Sequence, residues 1–257
     1  MAVLLVDVGN TRIKWALLEG QRLGRSRAAV HSAWGPASYA RRLFGKQTHL
    51  RVWVTSVAGL EVNHALEKAA RRARVPATFV TVPRAGGGVR VGYLEPWRLG
   101  VDRFVAAVGA HELFPRMPLC VVGVGTAMTI DLIGASGRHR GGVIIPAPAL
   151  MVATLFARTR GIHRRAQGGG SGRSAGGRLF ARSTRDGVVQ GARHAAAALI
   201  DRAVEEGRTL LGRSPLVVLT GGEAAAVRPL LRSSSVGVPD LVLRGLAVLA
   251  RAAHQDG

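Results

Sequence analysis

The sequence predicts an α/β fold built from two related domains. Aliphatic runs typical of strands alternate with segments whose apolar residues recur at helical spacing, and this alternation is typical of sheets with some parallel pairing. Two strand–turn–strand segments, at residues 3–18 and 119–133, begin in a similar way, with an aliphatic run leading into a glycine-containing turn. We therefore expect one domain over residues 1–115 and a second over residues 116–257, facing each other across a cleft.

Composition limits the classes of protein to consider. Of the 257 residues, 47% are apolar, which is enough for a buried core. No run of about eighteen apolar residues lacks charged or turn residues, so we expect no transmembrane helix and no membrane partner. The N-terminus lacks the basic segment and cleavage site of a secretion signal. Cys120, the single cysteine, cannot form an internal disulfide, and together these features predict a cytoplasmic protein.

The chain is strongly basic, with 36 Lys and Arg residues, 15 Asp and Glu residues and a formal net charge of +21. Such a charge is compatible with an anionic substrate, an anionic surface or nucleic acid. Only Lys14, Lys46 and Lys68 are lysines, however, and the arginines are scattered without interleaved aromatic residues. This pattern favours a coding bias towards arginine over a specific nucleic-acid site.

After the opening hairpin, the first half alternates strands and helices. Residues 52–57 and 78–82 are rich in β-branched side chains and predict strands. Between them, apolar residues at helical spacing predict a helix over residues 60–74. Residues 86–99 contain three consecutive glycines and a proline and predict a loop of the kind that often binds ligands. A helix should follow and end near Leu113.

The second half continues the alternation after its own hairpin. Residues 149–158 predict a helix, whereas residues 160–178 are rich in Gly, Arg and Ser and predict a flexible segment. The hydroxyl residues at 183–184 are ordinary N-caps for the long helix predicted after them. Residues 216–220 predict a buried strand that leads through two glycines into a helix from Glu223. Residues 240–253 predict the final helix.

The turn that follows the first strand has the features of a phosphate site. Asp7 lies near the end of the strand, and Gly9, Asn10 and Thr11 form a turn that tolerates positive φ and offers main-chain N–H groups. A carboxylate beside such a turn suggests a divalent metal that bridges it to a bound phosphate. Lys14 could add a positive charge to the same site. A plain hairpin with an acid at its mouth is the alternative.

Other sequence motifs limit the kinds of nucleotide-binding and catalytic site that the chain can form. Gly123 and Gly125 resemble the start of a dinucleotide fingerprint, but Met128 stands at its third glycine position and a strand follows, which argues against a Rossmann site. No Gly-x-x-x-x-Gly-Lys-Ser/Thr motif occurs, which excludes a P-loop kinase. Asp102 lies in the first turn of a predicted helix, where it is either a favourable capping charge or a carboxylate placed to accept a proton.

Taken in order along the chain, these pieces resemble type III pantothenate kinase, a family of the acetate-kinase/sugar-kinase/Hsp70/actin superfamily. The pieces that carry the resemblance are Asp7-Val8-Gly9-Asn10-Thr11 with Lys14; Gly92-Tyr93 with Leu99-Gly100-Val101-Asp102-Arg103; Gly125-Thr126-Ala127 with Thr129 and Asp131; Gly141-Gly142 with Pro146 and Met151; Ser183-Thr184 with Gly191; Thr220-Gly221-Gly222; and Pro239-Asp240-Leu241 with Gly245-Leu246. The resemblance implies two ribonuclease H-like (actin-like ATPase) domains that face each other across a nucleotide cleft. It also implies ATP-dependent phosphorylation of pantothenate to 4'-phosphopantothenate, the first step of coenzyme A biosynthesis.

The resemblance further assigns roles to individual residues. Those implied to bind ATP are Asp7, Val8, Gly9, Asn10, Thr11, Arg12, Ile13, Lys14, Thr126, Gly221 and Gly222. Those implied to bind pantothenate are Tyr93, Gly100, Val101, Asp102, Arg103 and Thr184. Asp7 would hold Mg²⁺ directly or through water, and Asp102 would be the base that receives the hydroxyl proton. Thr184 would reach the pantothenate of the neighbouring subunit in a homodimer.

The chain departs from the family pattern at two positions. Many members have an aspartate at the position of Gly123, and that aspartate binds an activating monovalent cation, K⁺ or NH₄⁺. Because glycine has no side-chain oxygen, we expect potassium to have little effect here. Ala147 replaces the glycine of a family Pro-Gly pair, and since alanine tolerates positive φ poorly, we expect the local turn to differ.

Two other interpretations of the sequence stay open. The first is a kinase of the same fold for another small hydroxyl substrate, because the phosphate machinery is generic whereas the acceptor pocket depends on shape. The second is a regulatory or nucleic-acid-binding relative that has lost turnover. The high charge motivates the second interpretation, and the intact Asp7, Lys14 and Asp102 argue against it.

Overall fold

A computed structural model of the chain describes residues 2–45, 51–167 and 178–255. Its contacts divide the chain into two compact units. Unit 1 comprises Met1–Arg116, Ser136–Arg140 and Asp240–Gly257, and unit 2 comprises Met117–Ala135 and Gly141–Pro239. The division differs from the expected two consecutive halves, because the last helix and a short central segment belong with the first half of the chain.

The regular elements alternate along the whole chain, as the sequence predicts. The strands are β1 Val3–Val8, β2 Arg12–Glu19, β3 Arg22–Leu23, β4 Arg27–Val30, β5 Arg51–Ser56, β6 Ala77–Phe79, β7 Ala85–Gly86, β8 Val89–Arg90, β9 Leu119–Val124, β10 Ala127–Ile133, β11 His139–Pro146, β12 Leu216–Thr220 and β13 Ser235–Gly237. The helices are α1 Pro36–Tyr39, α2 Leu60–Arg72, α3 Val101–Leu113, α4 Pro148–Arg158, α5 Arg160–Ala166, α6 Thr184–Leu211, α7 Ala224–Val227 and α8 Leu241–Gln255, with a π-helical turn at Ala40–Phe44 and 3-10 turns at Pro96–Arg98 and Arg228–Leu230. No helix in the described ranges combines the length and apolar character that a membrane span requires.

The main sheet of unit 1 has the strand order β3-β2-β1-β5-β6, with β4 also paired to β2. β1 and β2 form the predicted antiparallel hairpin, whereas β1, β5 and β6 run parallel. Leu4, Val6 and Val8 join a hydrophobic core that includes Tyr39 and Leu66 from the helical segments. Because successive side chains of a strand point to opposite faces, Asp7 lies on the other face of the sheet.

Helix α8 joins unit 1 because it packs closely along α3. A Cβ atom added at Gly109 would lie 2.6 Å from the main-chain oxygen of Leu241, and one added at Gly245 would lie 1.9 Å from that of Val105. Both positions therefore require glycine, which lets the two helices approach closely. α8 also contacts β1 and β5, and α3 contacts β5, so two helices that are distant in the sequence lie beside the parallel strands of unit 1.

The sheet of unit 2 repeats the arrangement of unit 1. Its strand order is β11-β10-β9-β12-β13, with an antiparallel β9–β10 hairpin and parallel β9, β12 and β13. Helix α6 contributes Ala196, Ile200 and Val204 to the core beneath this sheet. The internal similarity predicted from the two hairpins is thus confirmed at the level of sheet topology.

The structure corrects several local predictions. The strand predicted over residues 78–82 ends at Phe79, and the helix predicted from Glu223 is only the four-residue α7. The loop predicted at residues 86–99 includes part of the small β7–β8 hairpin and a 3-10 turn. Within the segment predicted to be flexible, Arg160–Ala166 is helical, and residues 168–177 lie outside the described residues.

Candidate active site

Asp7 lies at the end of β1 between two polar neighbours in the sheet. Its register partners are Lys14 on β2 and Thr55 on β5, so all three residues belong to one face of the sheet. The Thr55 hydroxyl donates a hydrogen bond of 3.1 Å to Asp7 Oδ1. Burial of the carboxylate, together with the negative charge of Asp102, raises the pKa of Asp7 to about 6. Asp7 is therefore an acid that a bound cation would stabilise in its charged form.

Asp102 lies in the first turn of α3, as predicted, directly after Gly100 and Val101. Its Oδ1 atom accepts a 2.9 Å hydrogen bond from the main-chain N–H of Arg103. A carboxylate is favoured at this end of a helix because unpaired N–H groups point outward there. The charge of Asp102 raises the pKa of Asp7, so the predicted base and the predicted metal ligand belong to one electrostatic cluster.

Gly100 controls the position of the Asp102 carboxylate. A Cβ atom at residue 100 would lie 2.7 Å from Asp102 Oδ1, too close for that oxygen to stay in place. We expect Gly100→Ala to reduce turnover by about 10²-fold, because small displacements of a reacting group have effects of that size. Steady-state kinetics would measure the loss, and Gly161→Ala, at an exposed α5 position with open space around it, is the matched control. Unchanged turnover in Gly100→Ala would contradict this role of Gly100.

Lys14 forms an ion pair with Asp240, which immediately precedes α8. The Lys14 Nζ to Asp240 Oδ1 distance is 3.3 Å, and the Ser26 hydroxyl donates a 2.6 Å hydrogen bond to the other oxygen of Asp240. Asp240 has a φ of 55°, in the left-handed region that non-glycine residues rarely adopt. Lys14 is thus directed by a carboxylate from the far end of the chain.

The predicted phosphate turn joins β1 to β2. The Gly9 N–H donates a 2.9 Å hydrogen bond to Arg12 O, which closes the turn, and Asn10, Thr11 and Arg12 are exposed. The neighbouring Val8 and Ile13 bury their side chains completely in the core. Any contact of those two apolar residues with a ligand would therefore involve their main-chain atoms alone.

Of the residues predicted to bind the acceptor, Tyr93 and residues 100–103 cluster around Arg103, whereas Thr184 lies at the start of α6 in unit 2. This arginine is buried, and its Nη1 atom donates a 3.2 Å hydrogen bond to the hydroxyl of Tyr93. The Tyr93 ring contacts the ring of His139 at a centroid distance of 5.6 Å. A Cβ atom at Gly92 would lie 2.0 Å from His139 O, so the loop before Tyr93 can follow this path only with glycine.

In unit 2, Thr126 and the Gly221–Gly222 turn belong to one group of loops. A Cβ atom at Gly221, whose φ is 101°, would lie 2.3 Å from Val124 O, which places the double-glycine turn directly against the β9–β10 turn. The Ala147 N–H donates a 3.1 Å hydrogen bond to Thr126 O. Thr126, Gly221 and Gly222 are all exposed. The structure thus groups the unit 2 residues predicted to bind ATP.

The main chain at Ala147 is extended, with φ −70° and ψ 161°, so alanine fits there without strain. At the start of α6, the cap is formed by Ser183, whose hydroxyl accepts a 3.1 Å hydrogen bond from the Asp186 N–H. Thr184 is the first residue of the helix, partly exposed, and does not supply the capping contact.

The donor set around Asp7 is compatible with Mg²⁺. Within the described ranges, no three His, Cys, Asp or Glu side chains are arranged as a metal site. Mg²⁺ commonly uses only one or two carboxylates and takes its other ligands from water and substrate phosphates. Asp7, whose raised pKa reflects a buried carboxylate among other acids, fits such a single-carboxylate role.

Sequence reasoning missed three supporting residues: His31, Thr55 and Asp240. Thr55 contacts Asp7 through a parallel strand pair that no local pattern encodes. Asp240 was part of the matched pieces, but no spacing linked it to Lys14. The residues on either side of His31 form no motif, so no local pattern indicated that His31 is buried against the predicted phosphate turn.

Comparison with solved structures supports the fold. The chain is similar to the activator of the 2-hydroxyisocaproyl-CoA dehydratase from Clostridium difficile with bound ADPNP, at 13% sequence identity and a TM-score of 0.56, with 100% of this chain and 98% of that chain covered. It is also similar to the ROK hexokinase from Thermus thermophilus, at 14% identity and a TM-score of 0.51, with 98% and 100% covered. These likenesses confirm the predicted actin-like ATPase fold.

Comparison of sequences gives the family. A model of the family described as type III pantothenate kinase matches residues 3–206. The chain is 38% identical over 247 residues to a type III pantothenate kinase from Stenotrophomonas maltophilia (strain K279a), with 96% of each chain covered. It is 35% identical over 257 residues to the one from Nitrosococcus oceani, with 97% of this chain and 94% of the relative covered. The predicted resemblance is confirmed, and the chain belongs to the type III pantothenate kinase family.

Proposed function

We propose that this protein transfers the γ-phosphoryl group of ATP to the primary hydroxyl of pantothenate, giving 4'-phosphopantothenate and ADP in the first step of coenzyme A biosynthesis. Family membership supports this activity. The observation that carries it is the placement of two carboxylates in unit 1, Asp7 at the end of β1 and Asp102 in the first turn of α3, near enough for the charge of Asp102 to raise the pKa of Asp7. The transfer needs one carboxylate for a metal and another for the acceptor proton.

For the nucleotide, we assign the exposed turn after β1 and the loops after β9 and β12. The main-chain N–H groups of the Gly9–Thr11 turn and the Lys14 ammonium would bind phosphate oxygens, and Thr126 would also contact the phosphates. Gly221 and Gly222 would lie near the adenosine. Asp7 would hold Mg²⁺, which when bound neutralises charge on the phosphate oxygens.

For the acceptor, we assign the Tyr93–Arg103 group and Asp102. Pantothenate carries a carboxylate, and a buried guanidinium is a suitable partner for such a group. As the hydroxyl oxygen attacks the γ-phosphorus, Asp102 takes the hydroxyl proton, the new O–P bond forms, and the bond to the bridging oxygen breaks with its electron pair leaving on ADP. We also propose a homodimer in which Thr184 contacts the partner's pantothenate.

We expect turnover to be nearly independent of potassium. Gly123 offers no side-chain oxygen, and a Cβ atom at this position would already lie 3.0 Å from Thr129 Oγ1. Residue 123 therefore supplies no side-chain ligand for a cation. Rates measured in potassium chloride and choline chloride at equal ionic strength should agree within about twofold. Strong stimulation by potassium would show that other groups form the cation site.

The proposed function is tested by coupled ADP release from purified protein with magnesium ATP and pantothenate. We expect ADP release to depend on pantothenate, with a product heavier by one phosphoryl group in mass spectrometry. A panel of other small hydroxyl compounds distinguishes this activity from that of a related kinase. If another acceptor is phosphorylated and pantothenate is not, the proposed substrate is wrong, whereas phosphoryl transfer from ATP is still supported.

A further inference from the structure

His31 is buried and hydrogen-bonded at both ring nitrogens. Only 3% of its surface is exposed, although it lies outside every motif of the sequence. Its Nε2 atom lies 2.7 Å from the main-chain oxygen of Gly9, and its Nδ1 atom lies 3.0 Å from the hydroxyl of Tyr39. The ring thus connects the core of unit 1 to the first residue of the phosphate turn.

The partners of the ring determine which nitrogen carries the proton. The Gly9 carbonyl can only accept a hydrogen bond, so Nε2 must be the donor. In the neutral ring, Nδ1 then accepts from the Tyr39 hydroxyl. Burial raises the pKa of Tyr39, which keeps the phenol protonated as that donor. Tyr39 is itself completely buried and held by an edge-to-face contact with Trp34, 5.4 Å between ring centroids.

The hydrogen bond between His31 and the Gly9 carbonyl also sets the direction of the Asn10 N–H. The peptide group between Gly9 and Asn10 is planar and trans, so its C=O and N–H bonds point in opposite directions. When His31 holds the carbonyl towards the core, the Asn10 N–H is directed away from the ring, at an exposed turn residue. A hydrogen bond to the carbonyl also polarises the amide and makes its N–H a stronger donor.

We propose that His31 is a positioning residue for the nucleotide: by holding the Gly9 carbonyl, it directs the Asn10 N–H towards a phosphate oxygen of ATP. This inference rests on the proposed function for its ligand and adds the Tyr39–His31–Gly9 chain to the phosphate site. His31 itself does not touch the nucleotide. Loss of the His31 contact should therefore weaken ATP binding and leave pantothenate binding unchanged.

A pair of substitutions separates this role from simple packing. The amide nitrogen of glutamine can reach the place of histidine Nε2, whereas that of asparagine reaches only the place of Nδ1. We therefore expect His31→Gln to bind the magnesium complex of a non-hydrolysable ATP analogue within about threefold of wild type, and His31→Asn to bind it about tenfold more weakly. The KM for ATP should rise in His31→Asn while that for pantothenate stays within about twofold. His64→Asn, at an exposed position on α2, is the matched control.

Calorimetry with the analogue gives the affinities without any acceptor, and ¹⁵N NMR of the histidine ring gives the tautomer directly. We expect the Nε2–H form in wild type and a mixed population in Tyr39→Phe, which keeps the aromatic packing. Equal affinity in the Gln and Asn variants, or an Nδ1–H ring in wild type, would overturn the role of His31. Wild-type protein that binds nucleotide but does not phosphorylate pantothenate would overturn only the proposed acceptor.

Discussion

Asp102→Asn is expected to remove almost all phosphoryl transfer while nucleotide binding stays close to that of wild type. Asparagine has nearly the same shape as aspartate and can still accept the N–H of Arg103, so the first turn of α3 should be retained. It cannot accept the hydroxyl proton, and loss of a general base typically lowers the rate by about 10²–10⁴-fold. Single-turnover kinetics would measure the chemical step, and calorimetry with a non-hydrolysable analogue would measure binding.

The matched control for Asp102→Asn is Glu61→Gln. Glu61 is likewise an acid in the first turn of a helix, α2, but it lies outside the site. Its replacement should leave the rate unchanged. Because Asp102 raises the pKa of Asp7, Asp102→Asn should also shift the pH dependence of magnesium binding to lower pH. Equal losses of turnover and nucleotide affinity in Asp102→Asn would contradict its role as the base.

Asp7→Asn should lower the catalytic activity and raise the stability of the metal-free fold. Removing the carboxylate removes the proposed Mg²⁺ ligand, so we expect at least about a 10³-fold loss of activity at ordinary magnesium concentrations. The pKa of Asp7 is raised from 3.8 to about 6 by burial and by Asp102, so the folded protein prefers the neutral acid. At neutral pH, the metal-free Asp7→Asn variant should therefore be more stable than wild type by about 1–3 kcal/mol.

The pH dependence of that stability difference tests its cause. A raised carboxyl pKa contributes stability that is fully present below the unfolded value of 3.8 and is lost as pH rises through about 6. The two proteins should therefore unfold alike well below pH 3.8, where Asp7 is protonated in both states, and diverge between the two pKa values. Urea unfolding without magnesium would measure this. A difference that does not vary with pH would mean that packing, and not charge, separates the variants.

Features that local patterns encode could be predicted from the sequence. Strand, turn and helix signals over a few residues predict the two hairpins, the first-turn position of Asp102 and the Ser183 cap. The order of the motifs along the chain gave the family resemblance, from which the proposed roles of the site residues were taken. The motif does not show which of its residues have side chains that can reach a ligand. Val8 and Ile13 belong to the motif, but their positions in the sheet bury their side chains in the core.

Features that depend on long-range pairing were beyond sequence reasoning. The Thr55–Asp7 hydrogen bond needs the parallel register of β1 and β5, and the Lys14–Asp240 ion pair joins residues 226 positions apart. Nor does any spacing show that α8 packs on α3, because the paired glycines matter only once the helices meet. The domain boundary expected after residue 115 therefore assigned α8 to a different unit from the one it joins.

The position of α8 also has a consequence for how the molecule forms during translation. The ribosome completes β1, α3 and all of unit 2 before it makes the helix that covers α3 and the acid that holds Lys14. A nascent chain that stops before residue 240 would leave apolar surface on α3 uncovered. All residues of unit 2 are in the chain before α8 is made, whereas the unit that holds Asp7 and Asp102 stays incomplete until the last codons have been translated.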